Sequence, residues 1–177
     1  ASITVGCAAS TFDFAYSFDP EVERIYGPDR YTAAIGYSQK FAPGVDRVYL
    51  ASGETFPDAR RGGPAAASMG SPVLLTEVSQ VLPSVITELT RLHPAEIVVL
   101  GGTGTLAASI DAQLEALPFH PDVIRMAGAD RFEVSRMVTA EAFSSADVVY
   151  ISTGYNFPDA LAAGPAAATV SAPVLLV

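Results

Sequence analysis

The chain of 177 residues is half hydrophobic and carries ten basic against nineteen acidic side chains, a formal net charge of −9. That apolar content supports one packed domain or two small ones, and the negative charge repels nucleic acid and anionic lipid at long range. Apolar runs such as 48–51 and 73–75 fall far short of the roughly 18–20 residues that span a bilayer, and a single cysteine, Cys7, permits no internal disulfide.

Residues 1–23 read as a polar N-terminal arm. Within it, T-V-G-C at 4–7 has Thr4 where a lipid-attachment box carries Leu, and no apolar signal core precedes it, so modification of Cys7 is not expected. From residue 30 onward, segments with apolar residues spaced at three and four predict helices over 30–41, 58–69, 82–92, 106–117, 131–143 and 159–170. Between them lie short Val-, Ile- and Leu-rich runs bounded by Gly, Pro or Ser, at 47–51, 72–75, 97–100, 123–126, 148–151 and 173–177, which predict strands buried on both faces. Strict alternation of strand and helix with short connections requires a parallel sheet covered by helices. The expected class is α/β, a three-layer, Rossmann- or toprim-like arrangement.

The chain also repeats. At an offset of 101, residues 24–76 align with 125–177 without a gap, and roughly 21 of the 53 pairs are identical. R-I-Y-G-P-D-R-Y at 24 matches R-M-A-G-A-D-R-F at 125, D-R-V-Y-L-A-S-G at 46 matches D-V-V-Y-I-S-T-G at 147, and F-P-D-A with G-P-A-A-A recurs at 56 and 157. The expected organisation is an arm over 1–23, a first repeat over 24–117 and a second, C-terminally incomplete repeat over 118–177. The second copy stops at Val177 on an apolar run, so a continuation of the fold or a neighbouring subunit is expected to complete it.

In F-P-D-A the proline suits the first turn of a helix, and Asp58 or Asp159 faces the free N–H groups and positive dipole end there. The same loops follow the carboxyl ends of strands, where parallel sheets place their ligand sites, so helix initiation and ligand contact both remain open for these two carboxylates. Nine of the ten basic residues are arginine, whose planar fork answers phosphate or carboxylate. Arg30 and Arg131 follow Asp29 and Asp130 in the repeated G-x-D-R, and Arg24 and Arg125 stand six residues earlier in each copy. Simple capping and local ion pairing by Asp29 and Arg30 is the plainer alternative. G-G-T-G at 101–104 lacks the lysine of a P-loop and the spacing of a dinucleotide fingerprint. His93 and His120 each precede a proline and have no partner at metal spacing. No catalytic set, metal site or cofactor is expected.

In this order, D-R-Y, S-G-x-x-F-P-D-A, G-P-A-A-A, A-P-V-L-L and V-V-L-G-G-T-G resemble the cell wall binding repeat type 2 family, over nearly all of 24–177. The resemblance implies a non-catalytic module of a surface or secreted Gram-positive protein, outside the cell and wall-associated. It would bind an anionic wall polymer and anchor what it is fused to, in tandem copies of which three form a compact pseudo-threefold unit. Partners implied are that polymer and further repeat copies or other subunits, with no nucleic acid and no membrane span. Candidate polymer contacts are Arg24, Arg30, Arg125, Arg131, Asp58 and Asp159.

The chain departs from the pattern by holding about one and a half copies, and by placing Arg60-Arg61-Gly62 where the second copy has Leu161-Ala162-Ala163. An acidic chain reaches an anionic ligand if its arginines converge or if Ca²⁺ bridges; the absence of a D-x-D-x-D loop favours the arginines. Two other readings stay open: an α/β enzyme on a phosphorylated substrate, with Asp58 or Asp159 as acid/base or Mg²⁺ ligand beside G-G-T-G, and a structural subunit of a surface assembly.

Overall fold

The computed structural model describes residues 2–7, 10–15, 24–54, 71–155, 163, 167, 170 and 172–177, with the backbone alone at 2–7, 10–15, 131 and 142. Within the N-terminal arm, β1 (Ser2–Cys7) and β2 (Ser10–Ala15) pair antiparallel, Ser2 opposite Ala15 and Cys7 opposite Ser10. The main sheet follows, built from β3 (Arg47–Ser52), β4 (Val73–Thr76), β5 (Glu96–Leu100) and β6 (Asp122–Met126). Its order is β4-β3-β5-β6 and every pairing is parallel. A second, two-stranded parallel sheet joins β7 (Tyr150–Ser152) to β8 (Val174–Leu176). The chain is α/β with mainly parallel sheet, as the alternation of its apolar runs requires.

Four helices are described in full: α1 (Arg30–Ser38), α2 (Pro83–Leu92), α3 (Ser109–Glu115) and α4 (Arg131–Ala142). The expected helices at 58–69 and 159–170 lie outside the described residues, apart from Ala163 and Ala167, whose side chains pack with Val174 and Tyr150. Two boundaries differ from the sequence pattern for local reasons. α1 stops at Ser38 rather than Phe41 because Lys40 and Phe41 turn back tightly onto the carbonyls of Tyr37 and Ser38. α3 starts at Ser109 rather than Leu106 because the amides of Thr105 and Leu106 both go to the Gly102 carbonyl and that of Ala107 goes to Val78.

Successive strand residues point to opposite faces, and the core divides accordingly. On one face Val48, Leu50, Leu74, Ile97 and Val99 pack with Val85, Leu89 and Leu92 of α2 and Ile110 and Leu114 of α3. On the other, Tyr49, Ala51, Val98, Leu100 and Met126 pack with Val134 and Val138 of α4. Each fully buried Leu, Ile or Val of this kind contributes about 1.5–3 kcal/mol. β6 runs into the second copy of the repeat, which begins at Arg125, and α4 lies within that copy, so its Val134 and Val138 help finish the core of the first. α4 also serves its own repeat: Ser135 donates through Oγ to the Val174 carbonyl at 3.4 Å and accepts from the Leu176 amide at 3.2 Å.

A charged network ties α1 to α2. The Glu88 side chain is only 4 % exposed, and Arg91 reaches it with Nε at 2.9 Å and Nη2 at 2.7 Å. The Ser38 hydroxyl donates to the same carboxylate. Arg91 also donates to the carbonyls of Phe41 and Ser38, both at 3.1 Å, which satisfies acceptors at the end of α1. Burial alone would raise the Glu88 pKa, but the hydrogen bonds from Arg91 and Ser38 outweigh it and hold the group below its ordinary 4.5. A carboxylate with a depressed folded pKa stabilises above its unfolded value, and that stabilisation is lost as pH falls through the folded one. Glu88→Gln should therefore lower stability by about 1–3 kcal/mol at neutral pH. In denaturant titrations its deficit against wild type should shrink steadily below pH 4.5.

Candidate functional site

The repeated G-x-D-R-[YF] and the later [ST]-G build one device twice. Asp29 caps α1, its Oδ1 accepting from the Thr32 amide at 2.7 Å and the Thr32 hydroxyl at 2.8 Å. Those hydrogen bonds, the amide first, hold the Asp29 carboxyl below its usual range. Asp130 caps α4 in the same way, accepting from the amides of Phe132 and Glu133 at 2.9 Å. Two residues after each aspartate an aromatic ring reaches the carboxyl end of the following strand. A Cβ on Gly53 would overlap Cε1 of Tyr31, and one on Gly154 would overlap Cε1 of Phe132. Glycine at 53 and 154 thus makes room for the ring, and the Gly53 and Gly154 amides close onto the next strand through Thr76 and Val177 at 2.8 and 2.9 Å.

Arg30 follows the first cap and donates through Nη1 to the Gly53 carbonyl, so an exposed cation stands at the carboxyl edge of β3. Two acids share that edge: Glu54 accepts from the Val78 amide at 3.1 Å, and Glu77 accepts from Gln80 at 2.8 Å. Burial raises the Tyr31 pKa, and the charges of Glu54 and Glu77 raise it further. Arg24 is exposed on the approach to α1. For Arg131 the backbone alone is described, and Asp58 and Asp159 lie outside the described residues.

Arg125 occupies a different setting. Its Nε and Nη2 grip both carboxylate oxygens of Asp111 at 3.0 and 2.8 Å, Nη1 donates to the carbonyls of Gly101 and Leu106 at 2.9 Å, and Nη2 reaches Ala107 at 3.3 Å. Five hydrogen bonds engage the five donors of the guanidinium, joining β6 to the G-G-T-G turn and α3. Arg30 and Arg125 address separate loops, at Gly53 and at Gly101, and share no hydrogen-bond partner among the described residues. The sequence pattern did not reveal Asp111: it sits beyond the aligned span of the repeat, so no second copy points to it. His93 stacks on Phe119 with ring centroids 4.8 Å apart, away from these loops. Among the described residues no group of three or more His, Cys, Asp or Glu is placed to hold a metal ion, and no helix is long and apolar enough to cross a membrane.

Parallel repeats joined through a shared helix, with one capped and ring-braced strand end in each, define a repeat-built α/β module. The family model for cell wall binding domain 2 (CWB2) matches residues 24–111 and 125–177, and the chain belongs to that family. It is 25 % identical over 165 residues to the N-acetylmuramoyl-L-alanine amidase LytC of Bacillus subtilis, covering 93 % of this chain and 32 % of that protein. It is 28 % identical over 154 residues to the amidase enhancer of the same organism, covering 87 % and 21 %. The chain thus spans less than a third of either relative. Among solved structures, Cwp6 from Clostridium difficile superposes with a TM-score of 0.78 at 24 % identity, over all of this chain and 28 % of that one. Cwp8 from the same organism gives 0.76 at 23 %, over 86 % and 27 %. These two likenesses establish the fold.

Asp111→Ala should leave donors of Arg125 unpaired and cost about 1–3 kcal/mol. Hydrogen exchange should then quicken over β6 and α4 before it does in β3. Gly53→Ala should cost about 1–3 kcal/mol by overpacking against Tyr31. In a thermal-melt cycle that loss should shrink when Tyr31→Ala is already present.

Proposed function

We propose that this chain is a non-catalytic, extracellular module that binds an anionic polymer of the Gram-positive cell wall and so anchors a surface or secreted protein. The observation that carries this reading is the match to a cell wall binding family across both repeats, together with a device written twice in one chain. An enzyme needs one active site; a binder that grips a repeating polymer gains from two equivalent ones, because the second contact forms at high effective concentration. The match falls on less than a third of the amidase and of the amidase enhancer, which fits a module shared by proteins of different activity, and amidase chemistry is not assigned to this chain.

Within the module, Arg30 and its counterpart Arg131 are the proposed polymer contacts, each following a helix-capping aspartate in the chain. Arg24 adds an exposed cation, and Asp58 and Asp159, which come after β3 and β7 in sequence, complete the proposed set. Arg125 acts from behind, by holding the loop at Gly101. Arginine forks recognise phosphate and carboxylate with directional bonds that a net negative protein charge does not cancel at contact.

The test is retention on purified wall sacculi, before and after the anionic polymer is stripped, across a salt gradient. Retention should disappear on stripped sacculi and fall with salt, and Arg30→Gln combined with Arg131→Gln should weaken it by about tenfold or more. A chelator should leave it unchanged. Equal retention on stripped walls would overturn the polymer reading.

A further inference from the structure

One peptide unit at the carboxyl end of β3 is held from both of its polar groups. The Gly53 carbonyl accepts from Arg30 Nη1, and the amide of the same unit, that of Glu54, donates to Ser52 Oγ at 3.3 Å. A planar peptide keeps its C=O and N–H in a fixed mutual orientation, so a turn of the unit that frees one group also swings the other. The glycine before the plane is itself fixed: its amide closes onto Thr76 at 2.8 Å, and the ring of Tyr31 lies on the side where a Cβ would stand. Those contacts leave open the rotation of the peptide plane, which glycine, without a Cβ, does little to resist. Two side chains stop that rotation. One is the Ser52 hydroxyl, and the other is the Glu54 carboxylate, whose Oε1 takes the Val78 amide at 3.1 Å from 24 residues along the chain.

The second copy repeats the first of these anchors. Thr153 stands where Ser52 does, and its Oγ1 accepts from the Tyr155 amide at 3.3 Å, so the Gly154–Tyr155 unit is held in the same way. The second anchor has no carboxylate counterpart, because Tyr155 stands in the place of Glu54. An exposed carboxylate one residue from the carbonyl that Arg30 holds opposes a polyanion through the solvent. Its place is accounted for by the amide it accepts. A charge-assisted bond to the backbone is short and directional, whereas the repulsion of an exposed charge is screened over about 8–10 Å at physiological salt. Val78 is fixed from its other side too, its carbonyl accepting from Ala107 at 2.7 Å, and the Ala107 carbonyl accepts from Arg125 at 3.3 Å. The Glu54 anchor thus ties the seat of Arg30 to the loop that Arg125 holds.

We infer, on the polymer-binding reading of Arg30, that Ser52 and Glu54 are positioning residues of the first polymer contact. They lock the Gly53–Glu54 peptide in the orientation that aims Arg30, and Thr153 locks the equivalent unit of the second copy. Glu54 does this through its acceptor oxygen and not through its charge.

Glu54→Gln and Glu54→Ala separate those two properties, with melting temperature as the control for folding. Glutamine keeps an acceptor for the Val78 amide and removes the charge, so retention on intact wall sacculi should equal or exceed that of the wild type. Alanine removes both and should weaken retention by about threefold to tenfold. Ser52→Ala should weaken it in the same direction. Without polymer, ¹⁵N NMR of the Arg30 guanidinium should show hindered rotation in the wild type and in Glu54→Gln, and free rotation in Glu54→Ala. Retention that rises in both Glu54 variants would mean that the carboxylate only repels the polymer, and retention that falls equally in both would mean that its charge acts through a bridging cation; either result overturns the inference. An Arg30 signal unchanged in Glu54→Ala overturns it whatever the retention. A wild type that fails to bind sacculi sinks the polymer reading alone, and the Arg30 signal then decides whether the seat exists.

Discussion

The fold turns on a dependence between its repeats: the sheet of the first is not finished by its own residues. Its edge strand, β6, runs into the second copy at Arg125, and α4, the helix on its second face, belongs to that copy. Arg125 fixes that arrangement, since its fork holds Asp111 and three carbonyls of the preceding unit together. A charged group brought to such a place is tolerated only when its donors find acceptors with good geometry, and the turn through Gly101 and the start of α3 supply them. Repeat architectures derive stability from such nearest-neighbour interfaces.

Much of this was legible in the sequence, because parallel strands buried on both faces must be written as continuous apolar runs and their helices as three-and-four spacings. Arg47–Ser52, Val73–Thr76 and Glu96–Leu100 lie where the runs put them, as does the helix over Pro83–Leu92, whose proline marks its first turn. The helix start at Ser109 was hidden, because the hydrogen bonds onto Gly102 that delay it depend on a tight turn and not on apolar spacing. The hairpin in the arm carries its own signal, since S-I-T-V-G-C and T-F-D-F alternate polar with apolar residues at the period of a strand, which reading 1–23 as a polar arm passes over.

At the candidate site the pattern located residues without telling their work. Asp29 and Arg30 are adjacent and opposite in charge, which suggests a local pair. The aspartate does cap the helix, as the plainer reading has it, while the arginine reaches across 23 residues of sequence to the Gly53 carbonyl. The role of Gly53 could be read only once Tyr31 was seen lying over it. Arg24 and Arg125 are identical letters in equivalent positions, yet one is exposed and the other has every donor engaged, because Arg125 alone meets Asp111. Equivalence in a repeat fixes where a side chain sits in its own unit; its partner is fixed by the neighbouring unit.

That distinction sorts the letters of the two copies. Positions identical in both, Gly27 with Gly128, Asp29 with Asp130 and Gly53 with Gly154, serve contacts inside one unit: a cap, a close approach to the helix start and a seat for a ring. Positions that differ include Val138, Glu141 and Arg47, which meet at the joint between units, where the other copy has Tyr37, Lys40 and Val148. A contact within a unit demands the same geometry each time, so its residues cannot drift apart without strain. A contact between units must match whatever lies opposite, and the surroundings of the two copies differ: α4 lies between two sheets, whereas Tyr37 on α1 faces solvent. Divergence between the repeats therefore follows burial at the joint: Val138 is covered there, whereas Tyr37 is exposed.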